Sequence, residues 1–569
     1  MDPIINYLIK KNLSFRFIQI LLMLLALIVI IPIFFGFLGF FLPSFGYFPV
    51  IGQNNFGLSY FYSSFELPGI SKSIILSIFT GFFSTILALF FSQVIILNLF
   101  QTKIYKYIRI IMSPLLALPH ITMAVGLIFL FSPSGLFFRL ISPWLTGFDR
   151  PPNFFIVPDD YGIFLILGLL LKETPFFLLL SLSALEQLPA NQLFNVGKSL
   201  QHHSFSTWCI LIFPLIYKKL RLVVFIVIAF AASVVDMSLL LAPSTPSTLA
   251  IRIFQIYQTS DLDSIFVASN LALIQLFIIV VLILFWIILE KIIKKNFFYI
   301  FLIRILSRKK SIFTDSFFIV AMVLFLLSTI GILCSIFWGI GENWYFPKFL
   351  PDTFNFSNIT NFLYRNQSLV LMSVYISFLV SSLSIILIII WVELAEILNI
   401  KYFYFEWIIF IPLFIPQISF LVGLQSFIVM LNFQDFLIPL IFVELLYVLP
   451  YCFIILTPAL REVKKEFIKV GLSLGKNRIE RLWQIKIPLI FSTLLTSFGI
   501  GMIVSLSLYT PVYFIGAGRI TTLTVEALNL ALSGSRQDLG LATFFQVIIP
   551  ISILLIIAYL NKKITKWRY

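Results

Sequence analysis

The chain alternates long apolar runs with short polar connections. Runs rich in Leu, Ile, Val and Phe occupy 17–42, 71–99, 108–132, 161–184, 221–242, 264–289, 316–340, 368–395, 405–431, 435–457, 491–514 and 540–560. Each is near or above the roughly 20 residues that an α-helix needs to cross the bilayer hydrocarbon. The pattern predicts an all-α polytopic membrane protein with about twelve transmembrane helices. The first run follows Lys10 and Lys11 but is long and lacks a small-residue cleavage site, so it is expected to remain as an anchor.

The polar connections orient these runs. With twelve spans, both termini and the even-numbered connections share one side, and that side holds 30 of the 39 Lys and Arg. Cytoplasmic connections carry such an excess, so both termini are expected in the cytoplasm. The net charge of +15 then reads as a topology signal with anionic-lipid contact, not as nucleic-acid binding. Composition agrees: 60% of residues are hydrophobic and 11% charged, where a soluble domain carries about 25% charged residues. Cys209, Cys334 and Cys452 are far apart and match no metal spacing, so they read as small buried hydrophobes.

One segment is written twice. FNVGKSLQHHSFSTWCILIFPLI runs from Phe194 to Ile216, and FIKVGLSLGKNRIERLWQIKIPLI from Phe467 to Ile490. Gly197 and Pro214 are 17 positions apart, as are Gly471 and Pro488, and the copies are offset by 274. Thr248-Leu249 and Thr522-Leu523 repeat that offset, while Pro119 to Gly126 matches Pro416 to Gly423 at 297. The difference of 23 residues is assigned to the outside loop 133–160 of the first half. The division is a first half 1–295 (core 70–290, loop 185–220), a basic cytoplasmic linker 296–315, and a second half 316–569 (core 368–560, loop 458–490). The linker's basic ends and apolar middle suit the membrane interface. Six spans per half make the two repeats parallel, related by an axis along the membrane normal. Pro114 and Pro119 fall in the third span and Pro412 and Pro416 in the ninth. Matched prolines predict kinked helices lining a central pathway, because each removes a backbone donor.

The duplicated segment resembles the EAA loop of binding-protein-dependent ABC transporter permeases, the transmembrane domain of type I importers. That pattern is roughly E-A-A, three residues, Gly, nine residues, Ile, any residue, Leu-Pro. In the second half Lys469-Val470-Gly471 stands in place of E-A-A, Gly475 is the family glycine, Ile485 the isoleucine, and Ile487-Pro488 closes. In the first half Asn195-Val196-Gly197 stands in place of E-A-A, Gln201 replaces the glycine, and Phe213-Pro214 closes. The resemblance covers roughly 70–290 and 368–560. It implies that each loop docks in a groove on a cytoplasmic ATPase subunit and moves when that subunit closes on ATP.

Local chemistry suits a rigid knob. Arg461–Leu474 is expected to form one helix ended by Gly475. Asn477 then caps a second helix, with Glu480 completing a capping box. Arg478, Ile479, Leu482 and Trp483 are expected on the docking face, with Phe205 and Trp208 as first-half counterparts. Gly197-Lys198-Ser199 imitates the tail of a phosphate-binding loop, but Gln192 occupies the required earlier glycine position and no strand precedes it. The chain is therefore expected to hold no cofactor, with ATP on partner subunits.

Ionisable residues inside spans are expensive and default to functional readings. His120, Lys172, Glu173, Asp236 and Glu444 are the candidates for a translocation pathway, set against structural pairing across helices. Lys172 and Glu173, being adjacent, do not share a helix face and are expected to find separate partners, Asp236 among them for Lys172. No metal-ligand spacing occurs.

The resemblance implies a fused two-half permease of a bacterial inner membrane, serving two ATPase subunits and a periplasmic binding protein. That protein would dock on outside loops 43–70, 243–263, 341–367 and 515–539. Single chains of this kind resemble permeases for ferric iron and thiamine. A major-facilitator transporter is the rival, since its halves are also parallel repeats. It predicts a charged Gly-Asp-Arg-like loop after the second span, where Gln101-Thr102-Lys103-Ile104-Tyr105-Lys106 stands instead. A membrane-embedded enzyme would want paired acids, and the tandem Asp159-Asp160 reads better as a solvated loop end.

Overall fold

The computed structural model describes residues 3–200, 203–295, 312–398, 403–431 and 435–568. Most of the linker 296–315, and Gln201, lie outside the described residues. The chain is a polytopic all-α membrane protein; one two-residue antiparallel pairing, Gly341–Glu342 with Thr353–Phe354, interrupts the helices. Ten helices are long and apolar enough to span a membrane, and a bent pair makes an eleventh among the described residues. The run at 221–242 resolves into a helix that begins earlier, at Phe213, and breaks after Ser233. Lys218, Lys219 and Arg221 make its first three turns basic.

The helices up to Lys295 are α1 (Pro3–Ser44), α2 (Ser59–Glu66), α3 (Ile70–Leu99), α4 (Ile108–Ala117), α5 (His120–Phe131), α6 (Leu136–Ile141), α7 (Ile163–Glu186), α8 (Ala190–Ser199), α9 (Ser204–Thr207), α10 (Phe213–Ser233), α11 (Asp236–Leu241), α12 (Leu249–Tyr257) and α13 (Ser264–Lys295). After the linker come α14 (Ile312–Ile340), α15 (Ser357–Leu398), α16 (Phe403–Phe410), α17 (Gln417–Met430), α18 (Leu437–Arg461), α19 (Lys465–Ser473), α20 (Arg478–Arg481), α21 (Ile487–Ser507), α22 (Thr510–Gly516), α23 (Leu523–Ser533) and α24 (Arg536–Arg568). From α9 onward the two runs share an offset of 274: α9 and α20, then α10 and α21, α11 and α22, α12 and α23 all start at matched positions. Even a π-turn recurs, at Trp208–Ile212 and Leu482–Lys486.

The prolines break the helices where the sequence places them. Leu118 is extended between α4 and α5, and Pro119 stands as the N-cap of α5. Pro416 takes the same place before α17, where the chain bends by 104°. Pro114 stays inside α4, and Pro412 sits in a 3-10 turn.

The first helix of each run crosses to the other one. α1 packs on α13 and on α17; α14 packs on α24 and on α5. Both crossings rest on glycine. A Cβ on Gly39 would stand 2.4 Å from Gly423 Cα, and one on Gly331 would stand 2.4 Å from the Gly126 carbonyl oxygen. Without a hydrophobic drive between helices in lipid, such close backbone approach supplies the packing.

The loop 133–160 is fastened to the other half by Arg139. Its guanidinium, buried at 3% exposure, donates to the carbonyls of Ser134 (2.8 Å), Lys348 (2.7 Å), Tyr345 (3.1 Å) and Trp344 (3.2 Å). It also lies over the Trp344 ring at 4.8 Å. Asp159 accepts from the N–H groups of Tyr161, Ile163 and Phe164, closing the start of α7.

Candidate functional site

The two duplicated loops are compact helical knobs. In the second, α18 ends at Arg461 and α19 begins at Lys465, so the single helix expected over Arg461–Leu474 is broken at 462–464. Gly475 then takes the left-handed conformation at φ +72°, with its own N–H and that of Lys476 closing the end of α19. The capping box is present: Asn477 Oδ1 accepts from Glu480 N–H at 2.9 Å, and Asn477 N–H donates to the Glu480 carboxylate at 2.9 Å. Pro214 and Pro488 both sit in the first turn of a helix, where the missing N–H costs nothing.

The repeated glycines have a packing reason. A Cβ on Gly197 would lie 2.2 Å from Thr207 Oγ1, and one on Gly471 2.6 Å from Ile485 Cδ1. The helix before each turn therefore rests directly on the turn itself. Asn195 and Lys469 are exposed beside these glycines.

Sequence reasoning misassigned two side chains here. Trp208 is inward, 2% exposed, with its ring 5.9 Å from Phe100, and Phe205 is half-buried. Arg478 turns toward α15, donating to the Glu393 carboxylate at 3.2 Å and to the Glu393 carbonyl at 3.0 Å. Ile479 and Trp483 are exposed as expected, and Leu482 is half-buried.

The anchor of the second loop was missed. Lys486, buried in the π-turn, pairs with Glu393 and, at 2.7 Å, with Glu396. The acidic pair Glu393-x-x-Glu396, ending a long apolar helix, was the available signal. Ser77 and Ser373 each accept a backbone N–H, from Leu249 (2.8 Å) and Leu523 (2.9 Å), which registers α3 with α15 at an offset of 296. The same register puts Leu97 and Phe100 where Glu393 and Glu396 stand, and Ile212 matches Lys486 at 274. The first loop is thus held by Phe100 against Phe194 (5.4 Å) and Trp208, the second by ions.

The intramembrane charges gather at the helix breaks. Lys172 donates to the carbonyls of Leu116 (2.7 Å) and Leu118, groups freed by the break before Pro119. Glu173 instead faces His120 Nε2 at 3.5 Å. Asp236 opens α11 just after the break at Val234–Val235, its carboxylate accepting the Met237 N–H at 2.8 Å, a favourable place for an anion. His120 and Lys172 act electrostatically on Asp236, and Glu173 and Asp236 act on Tyr451 and Tyr509 of the second run. At the equivalent breaks the second run has Gln417 and Thr510, whose hydroxyl donates to Gln417 at 3.1 Å. Glu444 is held by the Ser505 hydroxyl. Among the described residues no cluster of His, Cys, Asp and Glu suits a metal ion.

Residues 368–566 match the family described as binding-protein-dependent transport system inner membrane component. The chain is also similar to the inner membrane ABC transporter permease protein YnjC of Escherichia coli (strain K12), at 23% identity over 513 residues, which is 90% of this chain and 91% of the relative. Residues 368–566 thus carry the pattern of a transport-system membrane component, and the relative that is similar along most of the chain is an ABC transporter permease. No solved structure matches it significantly.

Proposed function

We propose that this chain is a two-half translocation subunit of an ABC importer in a bacterial inner membrane, with both termini cytoplasmic. The observation that carries the reading is the duplicated loop unit: helix, short helix, π-turn and proline-started helix, within 190–214 and 465–488 among the described residues. A unit kept twice, on the basic side of an otherwise lipid-facing chain, suits two docking knobs for two ATPase subunits. ATP closure would press the knobs together and hydrolysis would release them; ATP is held by the partners. His120, Lys172, Glu173 and Asp236 lie where broken helices of the first half meet Tyr451 and Tyr509 of the second, which supports a polar stretch of the pathway there. A cleft of about 400 Å³ lies between the starts of α15 and α24, lined by Asn358, Asn361, Tyr364, Arg365, Gln537 and Asp538. It falls in the outside loops 341–367 and 515–539 and suits a binding protein delivering a small solute, with ferric iron and thiamine the first to assay. The family match supports this reading over the major-facilitator alternative.

The test is uptake into proteoliposomes holding this chain and its ATPase, with binding protein and ligand outside. ATP-dependent uptake is expected. Uptake driven by a proton or sodium gradient without ATP would overturn the reading.

A further inference from the structure

The two loops present different surfaces to a partner. The second exposes Phe467, Val470, Leu472, Leu474, Ile479 and Trp483, with Leu474, Ile479 and Trp483 at 67%, 70% and 64%. Among the described residues of the first loop's α8 to π-turn segment, the large apolar side chains exposed are Val196 and Leu200, while Phe194 and Trp208 face inward. Exposed apolar area of this size, rimmed by charge, marks an interaction site. Trp is also the side chain most enriched among residues that dominate binding energy.

The anchoring differs in the same sense. Glu393 and Glu396 hold Arg478 and Lys486 by charge, and the capping box fixes Asn477 and Glu480. Polar groups thus hold the second knob, leaving its apolar side chains outward. In the first knob the aromatic rings are consumed by the anchor itself. The segment that matches the transport-system family contains the second loop.

We propose that the second loop is the principal dock for the ATPase and that the first contributes little binding energy. The occupant is an ATP-binding-cassette subunit with an apolar groove, so this inference rests on the function proposed above. A subunit pair built from two identical copies would bind this chain unequally at its two ends.

The experiment uses the full chain in lipid nanodiscs. The ATPase that co-purifies with it is identified by mass spectrometry, produced separately, and titrated against three forms. These are the unmodified chain, Ile479→Ser with Trp483→Ser, and Val196→Ser with Leu200→Ser. All four positions are exposed, and unchanged elution profiles and thermal transitions confirm that the variants fold. The second-loop pair is expected to weaken binding by about 30-fold or more, and the first-loop pair by less than about threefold. Equal losses overturn the asymmetry while leaving the loops as docks. No loss from either pair overturns the loops as docks; a change in quenching by brominated lipid on Trp483→Phe would then assign Trp483 to the membrane interface. Failure of any ATPase to bind the unmodified chain overturns the importer reading itself.

Discussion

Replacing Lys486 by Met tests how the second loop is held. The ammonium is 6% exposed and serves two carboxylates, Glu393 and Glu396. Removing it leaves those carboxylates with Arg478 alone, at 3.2 Å from Glu393 and 3.8 Å from Glu396, and 40% exposed. Breaking a buried pair from one side costs about 3–5 kcal/mol because the remaining charge stays desolvated. Arg478 retains part of the interaction, so the lower end, about 3 kcal/mol, is expected. For a cooperative unit of one half-chain this corresponds to a fall of roughly 6–12 °C in Tm. The first half supplies the control, since it holds the same joint with Leu97, Phe100 and Ile212. Glu393→Leu, Glu396→Phe and Lys486→Ile together are expected to return Tm to within about 3 °C of the unmodified chain, because replacing the buried members of an ionic set by apolar groups is near neutral and the remaining Arg478, 40% exposed, is left to solvent. Size-exclusion profiles after graded heating in detergent read both effects. A Tm unchanged by Lys486→Met, or a triple variant no better than the single one, would refute the reasoning.

The other expectations follow from single contacts. Gly197→Val is expected to cost about 1–3 kcal/mol by overpacking on Thr207, and Gly471→Ala less, because it meets the tip of Ile485 and the flexible Arg481 side chain; protease cleavage rates within each loop report the difference. Lys172→Met leaves the carbonyls of Leu116 and Leu118 without their donor, and about 1–3 kcal/mol of stability should be lost. Its Tm and ATP-driven uptake should fall together, and an unaffected Tm would remove Lys172 from the helix break. Gly423→Ala puts a methyl 2.1 Å from the Gly36 carbonyl oxygen, which has no flexible atom to yield. A loss of about 2 kcal/mol is expected, read as Tm, whereas a neutral result would mean α1 does not pack there. Arg139→Ala removes four backbone contacts from the buried guanidinium, so limited proteolysis of 133–160 should accelerate about tenfold, with intact protection as the contrary result.

Local rules carried the sequence reading where the chain itself supplies both partners. The apolar runs gave most of the spans, ten or eleven among the described residues against the twelve expected, because lipid demands about the same length from every helix. Pro119 and Pro416 gave the breaks because proline cannot donate within a helix. Asn477 and Glu480 gave the capping box because both sit within one turn of the same backbone. What stayed hidden depended on partners far along the chain. Arg478 looks like a docking residue until Glu393, 85 positions earlier, is beside it. Trp208 looks like one until Phe100 takes its ring. Arg139, in the segment 133–160, carries no local hint that the carbonyls of Ser134, Trp344, Tyr345 and Lys348 will surround it.

The same distinction explains why the duplication is visible in spacing yet not in chemistry. Backbone features, such as glycine approach, proline break and π-turn, recur at a constant offset because each is fixed by the path of the chain. The side chains filling the joints are free to diverge as sets, provided each set is internally satisfied: Leu97, Phe100 and Ile212 in one half, Glu393, Glu396 and Lys486 in the other. His120 and Asp236, standing where the second run has Gln417 and Thr510, are a second such exchange, titratable side chains in one run and an amide with a hydroxyl in the other. Mixed sets would strand a charge or a carboxylate against hydrocarbon, so substitution has to proceed as a group. The two runs of helices therefore share their helix starts and breaks while the side chains at those places differ, titratable groups at the breaks of the first run and an ionic set at the π-turn of the second.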